Sequence, residues 1–206
     1  MKQDGETKER LLEEAKKEFI EKGYMQSSLR SICKRAGVTT GALYFFFKDK
    51  EDVFAAIVRE PLEKLSELLQ AHYTKEQIEL SRRGFSGEGS ADDEEMALLT
   101  IEHLYQYKEE FLLVLTKSQG SRFENYYEEI VEATQKHYTL LVHRMSEMYD
   151  IPMLDEGWLH WFSHMQVDSF VYMITHGLPK EEAIKQVKIM IDFMVKGFSG
   201  IYSELL

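Results

Sequence analysis

The chain has 206 residues, a hydrophobic share of 44%, three prolines and a net charge of −11, which suits a long-helix protein with a real core and argues against a surface that is basic throughout. A single cysteine, Cys33, excludes an intrachain disulfide and a cysteine-built zinc site. The polar start MKQDGETKER lacks the apolar stretch of a secretory leader, and the aliphatic run Phe111 to Leu115 is far too short for a bilayer, so the chain is expected in the cytoplasm, away from membranes.

A first helix is predicted from about Glu6 to Glu21, with Leu11, Leu12, Ala15 and Phe19 on one face and Glu and Lys on the other. Gly23 should end it. Ser27 or Ser28 is placed to cap a second helix, in which Leu29, Ile32, Cys33 and Ala36 form a buried stripe. Gly37 stands where that helix must stop, because glycine enters the left-handed region at little steric cost. Val38 can plug the core beneath the turn. Thr39 is positioned to cap a very short third helix that opens on small residues, Gly41 and Ala42, followed by Leu43, Tyr44 and Phe45. A helix, a tight turn and a short helix with a small front suit close approach to another surface, as in a recognition helix entering the DNA major groove.

A fourth helix should start near Asp49. Pro61 interrupts its apolar pattern and predicts a kink or break near Arg59–Pro61. Ser81–Asp93, rich in glycine and serine and without a period, reads as a loop. Helical patterns return over roughly Glu94–Tyr107, Lys108–Ser118, Phe123–Tyr149, Glu156–His176 and Lys180–Glu204. No strand-like alternation or internal repeat appears, so the expected fold is all-α, with about nine helices.

Charge is divided unevenly along this chain. Residues 1–50 hold 11 Lys and Arg against 8 Asp and Glu, and the remainder holds 14 against 28. A mildly basic head on an acidic body points to nucleic acid as the partner of the head.

From about Thr7 to Val53 the chain resembles the DNA-binding module of the TetR family of bacterial transcriptional regulators. The resemblance is carried by Arg10-Leu11-Leu12, Ala15, Phe19, Lys22-Gly23-Tyr24, Ser28-Leu29, Ile32, Ala36-Gly37-Val38, Gly41, Leu43-Tyr44, Phe47-Lys48 and Lys50-Glu51. It implies a three-helix head with a helix-turn-helix over residues 1–48 and a larger helical body over 49–206 for effector binding and dimerisation. By position it implies base contacts from Thr39, Thr40, Gly41, Ala42 and Phe45, a phosphate contact from the Tyr44 hydroxyl, and another from Lys50 at the start of the fourth helix. Ser28 is placed to touch phosphate as well as to cap, and Arg30 is the long donor poised for a base or a phosphate. One departure from the family pattern is Phe46, where histidine is common. A phenyl ring cannot bond a phosphate.

The body carries aromatic, methionine and histidine residues beyond plain core need. His103, Tyr107, Phe111, Tyr126, His137, Trp161, His164, Met165, Asp168 and Tyr172 are candidates for lining an effector cavity for a mostly apolar ligand, with a methionine-filled core as the competing reading. His160, His164 and Asp168 share one face at four-residue spacing, but no zinc-protease motif accompanies them, and no metal or other cofactor is expected. The last two helices are apolar over wide arcs and need partners on two sides. Trp158, Phe162, Ile191, Met194, Phe198 and Ile201 are the candidates for a subunit interface, since the family pairs through these helices. The expected protein is therefore not an enzyme but a ligand-responsive repressor that binds a palindromic operator on double-stranded DNA as a homodimer and is released by an unidentified small molecule. The alternatives are a constitutive DNA binder without effector and a helical protein-interaction adaptor.

Overall fold

The computed structural model describes residues 2–85 and 91–202. Among these residues the chain is all helix: α1 Lys2–Gln26, α2 Leu29–Ala36, α3 Thr40–Phe46, α4 Lys50–Arg83, α5 Ala91–Gln106, α6 Lys108–Lys117, α7 Tyr126–Tyr149, α8 Glu156–Thr175 and α9 Lys180–Tyr202. Two compact units form, one of Met1–Lys64 with Tyr107–Tyr126, the other of Leu65–Gln106 with Tyr127–Leu206.

In the first unit α1 packs against α2, α3 and α6. Its predicted stripe is the core: Leu11, Ala15 and Phe19 are fully buried, as are Ile32, Leu43, Val53 and Phe54 from the following helices. The Phe19 and Tyr24 rings each meet Phe54 edge-on, with centroids 5.0 and 5.3 Å apart. Gly23, at φ 74° and ψ 167°, interrupts α1 at the point where the sequence predicts its end. Gly37 takes the left-handed conformation at φ 66°, and its N–H and that of Val38 close the last turn of α2 on the carbonyls of Lys34 and Cys33.

Three local expectations are corrected. Of the kink or break predicted near Arg59–Pro61, the break is absent, because α4 runs continuously through Pro61. Val58 and Leu62 are buried on either side of the proline, and that packing offsets the lost backbone bond. The loop predicted over Ser81–Asp93 shrinks from both ends, since Ser81–Arg83 belong to α4 and Ala91–Asp93 to α5. Residues 86–90 lie outside the described residues. The predicted start of the seventh helix at Phe123 moves to Tyr126.

In the second unit α5 packs on α8 and α9, and α8 on α9. One core cluster joins Leu80, Leu141, Val142, Met145, Ile151, Leu159, Phe162, Met194 and Phe198. Another joins Ala97, Ile101, Met173, Ala183 and Val187. Phe162, Met194 and Phe198, expected at a subunit interface, are thus buried within the chain, and Trp158 stacks on Phe162 at 5.0 Å. Ile191 packs half-buried on the second cluster. Of that group, Ile201 stays exposed.

Candidate nucleic-acid interface

The front of the first unit is built by turn chemistry. Thr39 precedes α3 in an extended conformation, and its Oγ1 accepts the Ala42 N–H at 3.2 Å, so the predicted cap is present. Such a bond matters for a helix of seven residues, which has few internal bonds of its own. Leu43 anchors α3 in the core, and Phe47, just past its end, is buried too. The opposite face turns outward: Thr39, Thr40, Gly41, Tyr44 and Phe45 are exposed and Ala42 is half-buried. Ser28 and Arg30, at the start of α2, are also exposed. The sequence-predicted DNA residues are thus exposed, apart from the half-buried Ala42 and Lys50.

Ser28 holds the cap position of α2, but its side chain makes no cap bond. The residue that serves the start of α2 is Glu18, which the helical period of α1 alone does not single out. Its side chain is fully buried. It accepts from Lys22 Nζ at 2.8 Å, Ser31 Oγ at 3.0 Å and Arg35 Nη1 at 3.5 Å. Burial raises its pKa, but the Lys22 and Ser31 bonds, together with the Ser28 N–H, outweigh burial and hold it below the ordinary glutamate value. Arg35 also grips Glu14 and Glu21 on α1, so the last turn of α2 is tied to α1.

Lys50 is committed locally. Its Nζ donates to the carbonyls of Tyr24 at 2.7 Å, Met25 at 3.3 Å and Ser27 at 3.3 Å, and lies 4.3 Å from the centre of the Tyr24 ring. An ammonium has three donors, so a phosphate must displace one of these bonds. Burial lowers its pKa, opposed by the Glu51 carboxylate. Tyr24 Oη donates to Glu51 Oε2 at 2.7 Å and completes the joint between the end of α1 and the start of α4.

In the second unit five of the candidate effector residues share one groove. Trp161, His164, Met165, Asp168 and Tyr172 line an open groove of about 540 Å³, completed by Ser169, Met173, Gln186 and Met190 from α8 and α9. His137 is buried elsewhere, stacked on Tyr73 with centroids 4.0 Å apart and bonded through Nε2 to Glu76 at 2.7 Å. His103 is buried. Phe111 belongs to the core of the first unit, which also contains Tyr107 and Tyr126. The His160 face proves to be a hydrogen-bonded chain that includes Tyr127. Tyr127 Oη donates to Asp168 at 2.7 Å and meets His164 Nδ1 at 2.8 Å; His164 and His160 face each other through Nε2 at 3.2 Å; His160 Nδ1 meets Gln135 at 2.8 Å. Among the described residues no group of three or more histidine, cysteine or carboxylate side chains is arranged to hold a metal.

Residues 11–57 match the family described as "Bacterial regulatory proteins, tetR family". The chain is 46% identical over 69 residues to the HTH-type transcriptional repressor BepR of Brucella suis biovar 1, and 31% identical over 139 residues to the HTH-type transcriptional regulator AcrR of Shigella flexneri. These stretches span 32% of this chain and of BepR, and 64% of this chain and of AcrR. A transcriptional regulator of the TerR/AcrR family from Aquifex aeolicus VF5 shares the fold at a TM-score of 0.61 and 23% identity, over 91% of this chain and 99% of that one. NalD of Pseudomonas aeruginosa, the secondary repressor of the MexAB-OprM multidrug efflux pump, superposes at a TM-score of 0.55 and 16% identity, over 93% and 96%. The matched segment, residues 11–57, covers the helices that build the exposed α3 front, and over it the chain is similar to the tetR family of bacterial regulatory proteins.

Proposed function

We propose that this chain is a DNA-binding transcriptional repressor that binds a palindromic operator as a homodimer and leaves it when a small molecule binds the body. One observation carries the reading: α3 is capped by Thr39, anchored by Leu43 and exposes Thr40, Gly41, Tyr44 and Phe45. That is the form of a helix made to enter a groove. Residues 1–48 supply the DNA contacts and residues 49–206 the pairing and effector functions. Phosphate contacts position such a head, base contacts select the site, and a single head reads too few base pairs to be specific.

Support for pairing lies on α8 and α9. Trp161, Tyr172, Ile189, Phe193 and Ile201 are large apolar residues left exposed on these two helices, with Ile189 at 72% and Phe193 at 64%. They replace the buried Phe162, Met194 and Phe198 as the interface candidates. Effector binding acts by population shift and needs different affinities for the DNA-competent state and the other state. A coupling of about 1–3 kcal/mol changes operator affinity roughly 5–150-fold. Among the described residues no helix is long and apolar enough to cross a membrane.

The test is selection of bound duplexes from a random pool, followed by footprinting. The expected result is a protected palindrome whose affinity falls with salt at a slope of about −0.9 per neutralised phosphate. Tyr44→Phe should weaken all sequences alike, and changes at Thr39 or Thr40 should alter which sequence is preferred. Binding that is weak and indifferent to sequence would favour the adaptor reading. Binding that no small molecule alters would leave a constitutive repressor.

A further inference from the structure

The residues of α3 are Thr40-Gly41-Ala42-Leu43-Tyr44-Phe45-Phe46. None carries the guanidinium, ammonium, amide or carboxylate that makes most paired hydrogen bonds to base edges. The exposed surface of the helix instead culminates in a phenyl ring. Phe45 is 76% exposed, the highest value among the large apolar residues of the described chain. Its neighbour Phe46 meets it edge-on at 5.0 Å but is itself half-buried. Long helical side chains lean back over the preceding turn, which for Phe45 is the turn of Gly41. A Cβ on Gly41 would meet only Thr39 Oγ1, at 3.8 Å, so that turn offers the ring no shield and the approaching surface no obstacle.

A ring presented in this way needs an apolar contact on whatever α3 meets. In the major groove one base carries such a group, the 5-methyl of thymine. We infer that Phe45 selects thymine within each operator half-site by packing its ring against that methyl group. This deepens the DNA-binding reading above and rests on it. The contact supplies sequence choice at a helix that lacks the usual hydrogen-bonding side chains. The half-site positions facing Phe45 are therefore A·T pairs oriented with the methyl toward the protein.

The experiment takes the full chain and the duplex recovered by selection, and replaces single thymines with deoxyuridine. Uracil keeps every hydrogen-bonding group of thymine and lacks only the methyl. At one or two positions per half-site the wild type should bind about three- to fivefold more weakly for each methyl removed. Phe45→Ala should bind the thymine duplex more weakly and should not distinguish thymine from uracil at those positions, while discriminating normally elsewhere. Phe45→Leu should retain part of the discrimination. Both variants should unfold at the wild-type midpoint, because the ring is exposed. Equal affinity of the wild type for the thymine and uracil duplexes overturns the inference and leaves DNA binding intact. So does full discrimination surviving in Phe45→Ala. A pool in which no sequence is enriched overturns the DNA-binding reading itself.

Discussion

The two units use polar side chains in different ways. In the first, polar side chains reach backbone at helix ends: the buried Glu18, besides its side-chain donors, takes the Ser28 N–H at the start of α2, and the half-buried Lys50 donates to three carbonyls where α1 ends. In the second, polar groups serve one another across helices, as in the chain from Asp168 through Tyr127, His164 and His160 to Gln135. The first pattern fixes where short helices begin and end, which a presented helix of seven residues requires. The second links separate helices through groups that have more than one satisfactory arrangement, which suits a region meant to respond.

The largest effect should come from the outward apolar face of the second unit. Ile189 and Phe193 are four residues apart on α9 and both exposed. Replacing both with glutamate should convert a dimer to a monomer by sedimentation, with operator affinity falling about 100-fold or more because two linked heads become one. The unfolding midpoint of the monomer should change little. An unchanged dimer would move the interface elsewhere.

Next comes Glu18→Ala, with an expected loss of about 3 kcal/mol in urea unfolding, since a buried charged acceptor disappears and its donors lose their partner. Acid should reveal the same group. Its folded pKa lies below the ordinary value of 4.5, so its contribution is complete above that value and is lost as pH falls through the lower folded value. Wild-type stability should therefore decline below about pH 4.5, and Glu18→Gln should flatten part of that decline. Asp92 in the second unit is also held low, with burial opposed by Lys75 and His72, so the Glu18→Gln protein should retain a residual acid slope.

The same contrast explains what the sequence disclosed. In the head Gly37, Thr39 and Leu43 lie within a few residues of the turn they control, so they were legible from spacing alone. Glu18 was not, because its position between Ala15 and Phe19 belongs to the stripe only once α2 is packed across it. In the body the wide apolar arcs of α8 and α9 were legible as arcs. Which side the chain itself covers was not, and Phe162, Met194 and Phe198 went to the core while Ile189 and Phe193 did not. Within the candidate effector list, Trp161 lines the groove of the second unit, whereas His137 is buried against Tyr73 and Glu76.

Thr39→Ala sharpens the comparison at a smaller scale. Loss of the bond to the Ala42 N–H should destabilise the first unit by about 1 kcal/mol. Hydrogen exchange should quicken in α3 and hardly at all in α8, because the cap acts only on the helix it starts.

The smallest expected effect is at Tyr127→Phe, about 0.5–1 kcal/mol or less. Burial and the Asp168 carboxylate both raise the Tyr127 pKa, so the hydroxyl stays protonated as a donor through neutral pH. Removing it frees His164 Nδ1 from its partner and leaves Asp168 to solvent, while the helices keep their apolar packing. The imidazole resonances of His160 and His164 should shift together in the variant, since the two rings share a hydrogen bond in which one donates and the other accepts. The head resonances should stay in place. A large stability loss instead would mean that the body's polar chain holds its helices as firmly as Glu18 holds the head, and the distinction between the two units would fail.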